Sequence, residues 1–232
     1  MSDLHHTTIS AGEIWSQSAV KLIAILRGIT PEEIAPAVEV LLAAGFRAIE
    51  IPLNSPSPFD SIKIAAEVAS SHKDASSHKE RCLIGAGTVL DAGDVAKVHE
   101  AGGNLIVSPN VDPAVITATT ARGMLSAPGV FTATECLLAL KSGAAILKIF
   151  PASVMGANGI KALRAILPAA CEICPVGGVG NADFAAYLGA GATGFGLGTS
   201  LYRQGMSTDA LAKNAGEAVD AYLAAYEAEG RS

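Results

Sequence analysis

Short apolar runs alternate with longer amphipathic ones along most of the chain. The apolar runs fall at residues 22–26, 48–53, 83–86, 105–107, 124–127, 146–150, 173–176 and 193–197, eight in all. Each is short enough for a strand. Several are rich in β-branched residues and lack polar alternation, as strands covered on both faces of a parallel sheet do.

Helix signals fill the gaps. Thr30 followed by Pro31, Glu32 and Glu33 supplies a cap, a proline in the first turn and early acids. Asp91 opens a helix over 92–101 that Gly102-Gly103 can close. Thr132 or Thr134 starts one through Leu140, and Asn181 starts one through Leu188. A last helix is predicted over 209–228, and an extra one over 11–20 precedes the first strand. Eight strands, each followed by a helix, predict an α/β chain folded as a (β/α)8 TIM barrel with an extra N-terminal helix. A doubly wound open sheet shows the same alternation and is the second choice. No break in composition divides the chain, so one barrel domain over residues 1–232 is expected. Residues 70–73 and 76–79 repeat Ser-Ser-His-Lys, and the polar stretch 70–80 is expected as a solvated loop at the barrel's bottom edge or side.

Half of the 232 residues are hydrophobic and 16% are charged, enough apolar surface for a large core and too little charge for disorder. The net charge of −6 offers no general attraction to nucleic acid or to an anionic membrane. An anionic substrate would therefore need local cations or backbone amides. No apolar stretch is long enough to cross a bilayer, and the start MSDLHHTTIS has no basic region followed by an apolar one. A cytoplasmic chain without a secretory signal is expected. Cys82, Cys136, Cys171 and Cys174 do not form a small disulfide scaffold; Cys171 and Cys174 make a CxxC without a second pair, read as a half-buried strand edge. The five histidines, His5, His6, His72, His78 and His99, fall in no metal-ligand spacing.

Lys148 stands out from this background, inside the otherwise apolar run Ala-Ala-Ile-Leu-Lys-Ile-Phe. Burying an ammonium there costs several kcal/mol unless it is paired or gives up its proton. An ordinary lysine is neutral in about one molecule in 2,500 at pH 7, and desolvation raises that share steeply. The run admits a nucleophilic amine or a strand-end lysine that snorkels or pairs with a carboxylate. If the chain is a barrel, other unusual polar residues converge with it at the strands' C-terminal ends. Glu50 interrupts the second apolar run and suits either a salt bridge to Lys148 or Arg27 or general acid–base chemistry. Arg27 ends the first run, and its fork fits a carboxylate or a phosphate. Thr88 follows the third run in Gly-Ala-Gly-Thr. Gly177-Gly178, and Gly198 with Thr199, follow the seventh and eighth runs, where glycine lets backbone N–H groups approach an anion.

These residues sit in LIAILRGITPEE, GFRAIEIPLNSP, GAGTVL, LIVSPN, ALKSGAAILKIFPAS, PVGGV and GFGLGTSLYR. Together the motifs resemble the pyruvate-forming 2-keto-3-deoxy-6-phospho-sugar-acid aldolases, over residues 21–204. The resemblance implies that Lys148 is the Schiff-base lysine and Glu50 the general acid/base. It implies that Arg27 and Thr88 bind substrate and that Gly177, Gly178, Gly198 and Thr199 cradle its phosphate. It further implies a homotrimer without metal or other cofactor, acting on a phosphorylated 2-keto-3-deoxy sugar acid. Gluconate-branch relatives usually carry arginine where this chain has Asn54 and threonine where it has Val176, so both positions favour the galactonate branch. Thr199 replaces a serine common in the family and keeps the hydroxyl. The alternatives are the gluconate-epimer aldolase, an isomerase or epimerase using Glu50 as base and a charged Lys148, and a phospho-ligand sensor without turnover.

Overall fold

The computed structural model of the chain describes residues 10–72 and 81–230. Eight parallel strands form the centre. They are β1 (Leu22–Ile25), β2 (Ala48–Pro52), β3 (Leu83–Gly87), β4 (Leu105–Val107), β5 (Leu125–Ala127, continued at Gly129–Val130), β6 (Ile146–Ile149), β7 (Glu172–Pro175) and β8 (Phe195–Leu197). The helices are α1 (Ala11–Gln17), α2 (Pro31–Ala44), α3 (Pro58–Ser71), α4 (Ala92–Glu100), α5 (Pro113–Thr120), α6 (Ala133–Lys141), α7 (Ala152–Arg164), α8 (Phe184–Gly189) and α9 (Thr208–Ala228).

Pairing runs β5-β4-β3-β2-β1-β8 in one sheet and β5-β6-β7 in the other. The two halves of β5 join the sheets on one side, and a bridge between Val176 and Gly196 joins β7 to β8 on the other. The ring is closed, so the expected barrel with its extra N-terminal helix is the fold and the open sheet is not. The fifth apolar run did not predict the break at Pro128, which has no N–H to continue a ladder.

The boundaries follow local chemistry. Thr30 N–H donates to Glu33 at 3.1 Å at the start of α2, and Thr132, not Thr134, caps α6. Asp91 caps α4 as expected. Asn181 opens a short 3-10 turn, Asn181–Asp183, before α8 begins. Ser70 and Ser71 are the last turn of α3 rather than loop, and residues 73–80, the rest of that expected loop, lie outside the described residues. Cys171 and Cys174 are buried, not half-buried, and all four cysteines are free thiols.

Side-chain alternation sorts each strand. Leu22, Ala24, Ile49, Ile84, Ile106, Leu147, Ile173 and Leu197 pack outward under the helices. Ile23, Ala48, Leu83, Leu105, Leu125 and Ile146 pack inward with Ile14 and Trp15 of α1. The inward parity is the parity of Glu50 and Lys148, which places both inside the barrel above an aliphatic layer. Below that layer α1 closes the floor. A capping box of Ser10 and Glu13 starts it, and Trp15 packs so closely on Gly194 that a β-carbon there would come within 3.0 Å of the indole. Lys21 pairs with Glu172 at 2.6 Å beside the same ring. Among the described residues no helix is long and apolar enough to cross a membrane.

Trp15 is 3% exposed, so truncation leaves a large hole in the floor. Trp15→Ala is expected to lower stability by about 3–5 kcal/mol. Urea unfolding followed by far-UV circular dichroism measures it, because Trp15 is the only tryptophan. A loss under about 1 kcal/mol would mean that α1 lies outside the cooperative unit.

Candidate active site

A cavity of about 580 Å³ opens at the C-terminal end of the strands. All ten positions singled out in the sequence line it: Lys148 and Glu50, Arg27 and Thr88, Asn54 and Val176, and the four cradle residues Gly177, Gly178, Gly198 and Thr199. Its volume is that of a site for a small-molecule ligand.

Glu50 sits in mid-strand on β2, in register with Ile25 of β1 and Gly85 of β3. Lys148 sits across the barrel on β6, in register with Gly129 and Cys174. They are 2% and 8% exposed. The salt bridge weighed for Glu50 is absent: among the described residues neither Lys148 nor Arg27 comes within 4.0 Å of a carboxylate oxygen. Burial instead drives each group toward its neutral form. It raises the Glu50 carboxyl to about 7 against the opposing charges of Lys148 and Arg27. It lowers the Lys148 amine, which the charge of Glu50 partly restores and that of Arg27 lowers further. Glu50 Oε2 is buried against Gly87 and has no hydrogen-bond partner among the described residues.

The surroundings show what makes room for the pair. A β-carbon on Gly87 would overlap the Glu50 carboxylate, so the second glycine of the Gly-Ala-Gly-Thr motif is required by that carboxylate. Sequence reasoning spent that motif on Thr88 and missed Gly87. Thr88 follows at φ 57, a left-handed conformation that is strained for a β-branched residue and typical of binding sites. Phe150 was also missed. Its ring centroid lies 4.9 Å from Lys148 Nζ, and Gly177 packs on the same ring, so one aromatic touches both the amine and the glycine loop. The apolar run alone made Phe150 look like a strand residue, whereas β6 ends at Ile149.

Arg27 and Asn54 leave the ends of β1 and β2. Arg27 Nη1 donates to Asn54 Oδ1 at 2.7 Å, a contact the sequence did not suggest. Val176, 6% exposed, presents two methyl groups against Gly196 and no hydroxyl. Across the cavity Gly177 and Gly178 adopt φ +90 and +73. Among the described residues the N–H groups of Gly178, Val179, Thr199 and Ser200 donate to no protein oxygen. Free, converging N–H groups of this kind form an anion nest. No cluster of His, Cys, Asp and Glu that could hold a metal is present among the described residues.

The fold and this cavity are those of a barrel enzyme acting on a small molecule. A profile of the KDPG and KHG aldolase family matches residues 16–216, and the chain belongs to that family. It is 51% identical over 205 residues to a probable 2-dehydro-3-deoxy-6-phosphogalactonate aldolase of Rhizobium meliloti strain 1021, covering 88% of this chain and 92% of that one. It is 43% identical over 211 residues to 2-dehydro-3-deoxy-6-phosphogalactonate aldolase of Escherichia coli strain K12, covering 91% and 98%. A solved structure described as native KDPGal superposes with a TM-score of 0.85 at 43% identity, covering 90% of this chain and 97% of that one. The chain is a carbon–carbon lyase.

The raised carboxyl has a measurable consequence. Glu50 is favoured protonated in the fold, so its contribution is complete below its ordinary value of 4.5 and is lost as pH rises through about 7. The loss amounts to about 3 kcal/mol. The stability difference between the wild type and Glu50→Gln, followed by denaturant unfolding from pH 4.5 to 8, should shift by that amount in favour of the variant. A difference that stays flat would mean that Glu50 is solvated.

Proposed function

We propose that the chain is a Schiff-base aldolase that reversibly cleaves 2-dehydro-3-deoxy-6-phosphogalactonate to pyruvate and glyceraldehyde 3-phosphate. The observation that carries this reading is the buried pair, an amine pushed toward its neutral form and a carboxyl held near 7 in one cavity. The neutral Lys148 amine attacks the C2 ketone, and the resulting hydroxyl takes a proton from Glu50, relayed by water, and leaves as water, so that an iminium and a Glu50 carboxylate remain. Glu50, through a water, takes the proton of the C4 hydroxyl. The C3–C4 electron pair moves into the iminium, giving an enamine and releasing the aldehyde. Proton return to C3 and hydrolysis of the imine then free pyruvate and the amine. A carboxyl with a value near 7 can accept and return that proton within one turnover.

Arg27 and Thr88 orient the carboxylate end in this scheme, and the free N–H groups beside Gly178 and Thr199 hold the phosphate. That span fixes the reacting carbon against Lys148. Asn54 and the methyl groups of Val176 support the galactonate epimer over the gluconate epimer. A homotrimer fits Phe131, Leu137, Leu138 and Val154, large apolar side chains left exposed around α6 and the start of α7. A cytoplasmic site of action goes with a phosphorylated substrate whose charge keeps it from crossing a membrane.

Borohydride with pyruvate is expected to trap a covalent adduct on Lys148, read by mass spectrometry, and Lys148→Met to trap none. Glu50→Gln is expected to keep the trapped adduct and lose about 10²–10⁴-fold in cleavage rate. An adduct elsewhere, or near-normal turnover of Glu50→Gln, would remove the scheme. Val176→Thr should shift the ratio of kcat/KM for the two C4 epimers toward the gluconate form; an unchanged ratio would clear Val176 of any part in stereochemistry.

A further inference from the structure

The N–H cradle has no formal charge, whereas a phosphate monoester brings between one and two negative charges to a protein whose net charge is already −6. Local cations must therefore supply the attraction. The cationic side chains on the cavity wall are Arg27, Lys148 and Arg203. Lys148 must be uncharged to attack the ketone. Arg27 is held by Asn54 at the ends of β1 and β2.

Arg203 stands on the loop between β8 and α9. Its Nε donates to the Thr199 carbonyl at 3.3 Å, which tethers the guanidinium beside the β8 half of the cradle. Both terminal NH2 groups remain free to donate. Among the described residues Arg203 makes no ion pair with a carboxylate, although the chain has more acids than bases. The side chain is exposed at the cavity wall. An unpaired guanidinium whose own Nε is tied to the backbone carbonyl of a residue of an anion nest is a preset partner for a phosphate.

We propose that Arg203 is a phosphate-binding residue of this aldolase, the charged member of the glycine cradle, and that it makes the site select phosphorylated over unphosphorylated aldehydes. The assignment rests on the reading of the cradle given above, and it leaves Arg27 to the carboxylate end. The guanidinium forks onto two phosphate oxygens while backbone N–H groups hold the third. It touches no reacting atom, so its contribution appears in binding.

The test runs the aldol direction with pyruvate and either D-glyceraldehyde 3-phosphate or D-glyceraldehyde. Arg203→Ala should raise KM for the phosphorylated aldehyde about 10–100-fold. It should leave kcat/KM for the unphosphorylated one within about twofold. Competitive inhibition by inorganic phosphate should weaken by a factor similar to the KM change. Arg203→Lys, which keeps charge without the fork, should fall between wild type and alanine. Borohydride trapping of pyruvate on Lys148 should be undiminished in both variants, which shows that they are folded. Equal losses with both aldehydes, or an unchanged preference in Arg203→Ala, would overturn the proposal while leaving the cradle in place. A wild type indifferent to the phosphate would overturn the cradle itself, and Arg203 with it.

Discussion

Moving a carboxylate and an ammonium from water into a barrel lined by aliphatic side chains costs several kcal/mol per ion. A tight ion pair would offset part of that cost, but Glu50 and Lys148 stand across the barrel without forming one. The remaining way to lower the cost is to shed charge. The carboxyl is therefore held near 7 and the amine is pushed below its ordinary range. The attraction between the two offsets the burial of each only in part, and Arg27 lowers both. The pair the proposed chemistry uses is thus a consequence of where the barrel places it.

Placement depends on what is missing around it as much as on what is present. Gly87 leaves the volume that the Glu50 carboxylate fills, and Gly196 leaves the volume under the methyl groups of Val176. Gly85 lets β3 approach β4, since a β-carbon there would run into the Leu105 carbonyl. Beneath them the layer of Ile23, Leu83, Leu105, Leu125 and Ile146, with Trp15 under it, keeps the floor apolar. One end of the barrel is thereby a packed core and the other a polar cavity, the division of labour that barrels of this class share.

Much of this was legible along the chain. Periodicity located seven of the eight strands to within a residue or two, and the fifth up to its break at Pro128, because parallel strands buried on both faces are short apolar runs. Capping chemistry located α2, α4 and α6, because Asp91 and Thr132 accept from N–H groups of their own first turn and Glu33 accepts from the N–H of Thr30. Of the ten site positions together in the cavity, eight stood out along the chain as a polar residue or a glycine in or after an apolar run, and Asn54 and Val176 came from the family resemblance. What escaped notice was set by which side chains meet in space. Gly87 matters through Glu50, Phe150 through Lys148 and Gly177, and the orientation of Arg27 through Asn54. The proposed salt bridge of Glu50 failed for the same reason, since spacing along the chain carries no distance across a barrel.

The sequence by itself determined the order of strands and helices, which residues share a face with Glu50 and Lys148 along each strand, and the family to which the chain belongs. Those follow from local hydrogen bonding and from alternation, which act over a few residues. Only the tertiary structure decided that the ring closes, that the two titratable groups stay unpaired, and that Arg203 lies free beside Thr199. Those depend on desolvation and on distances between separate strands, and both come into being when the strands meet.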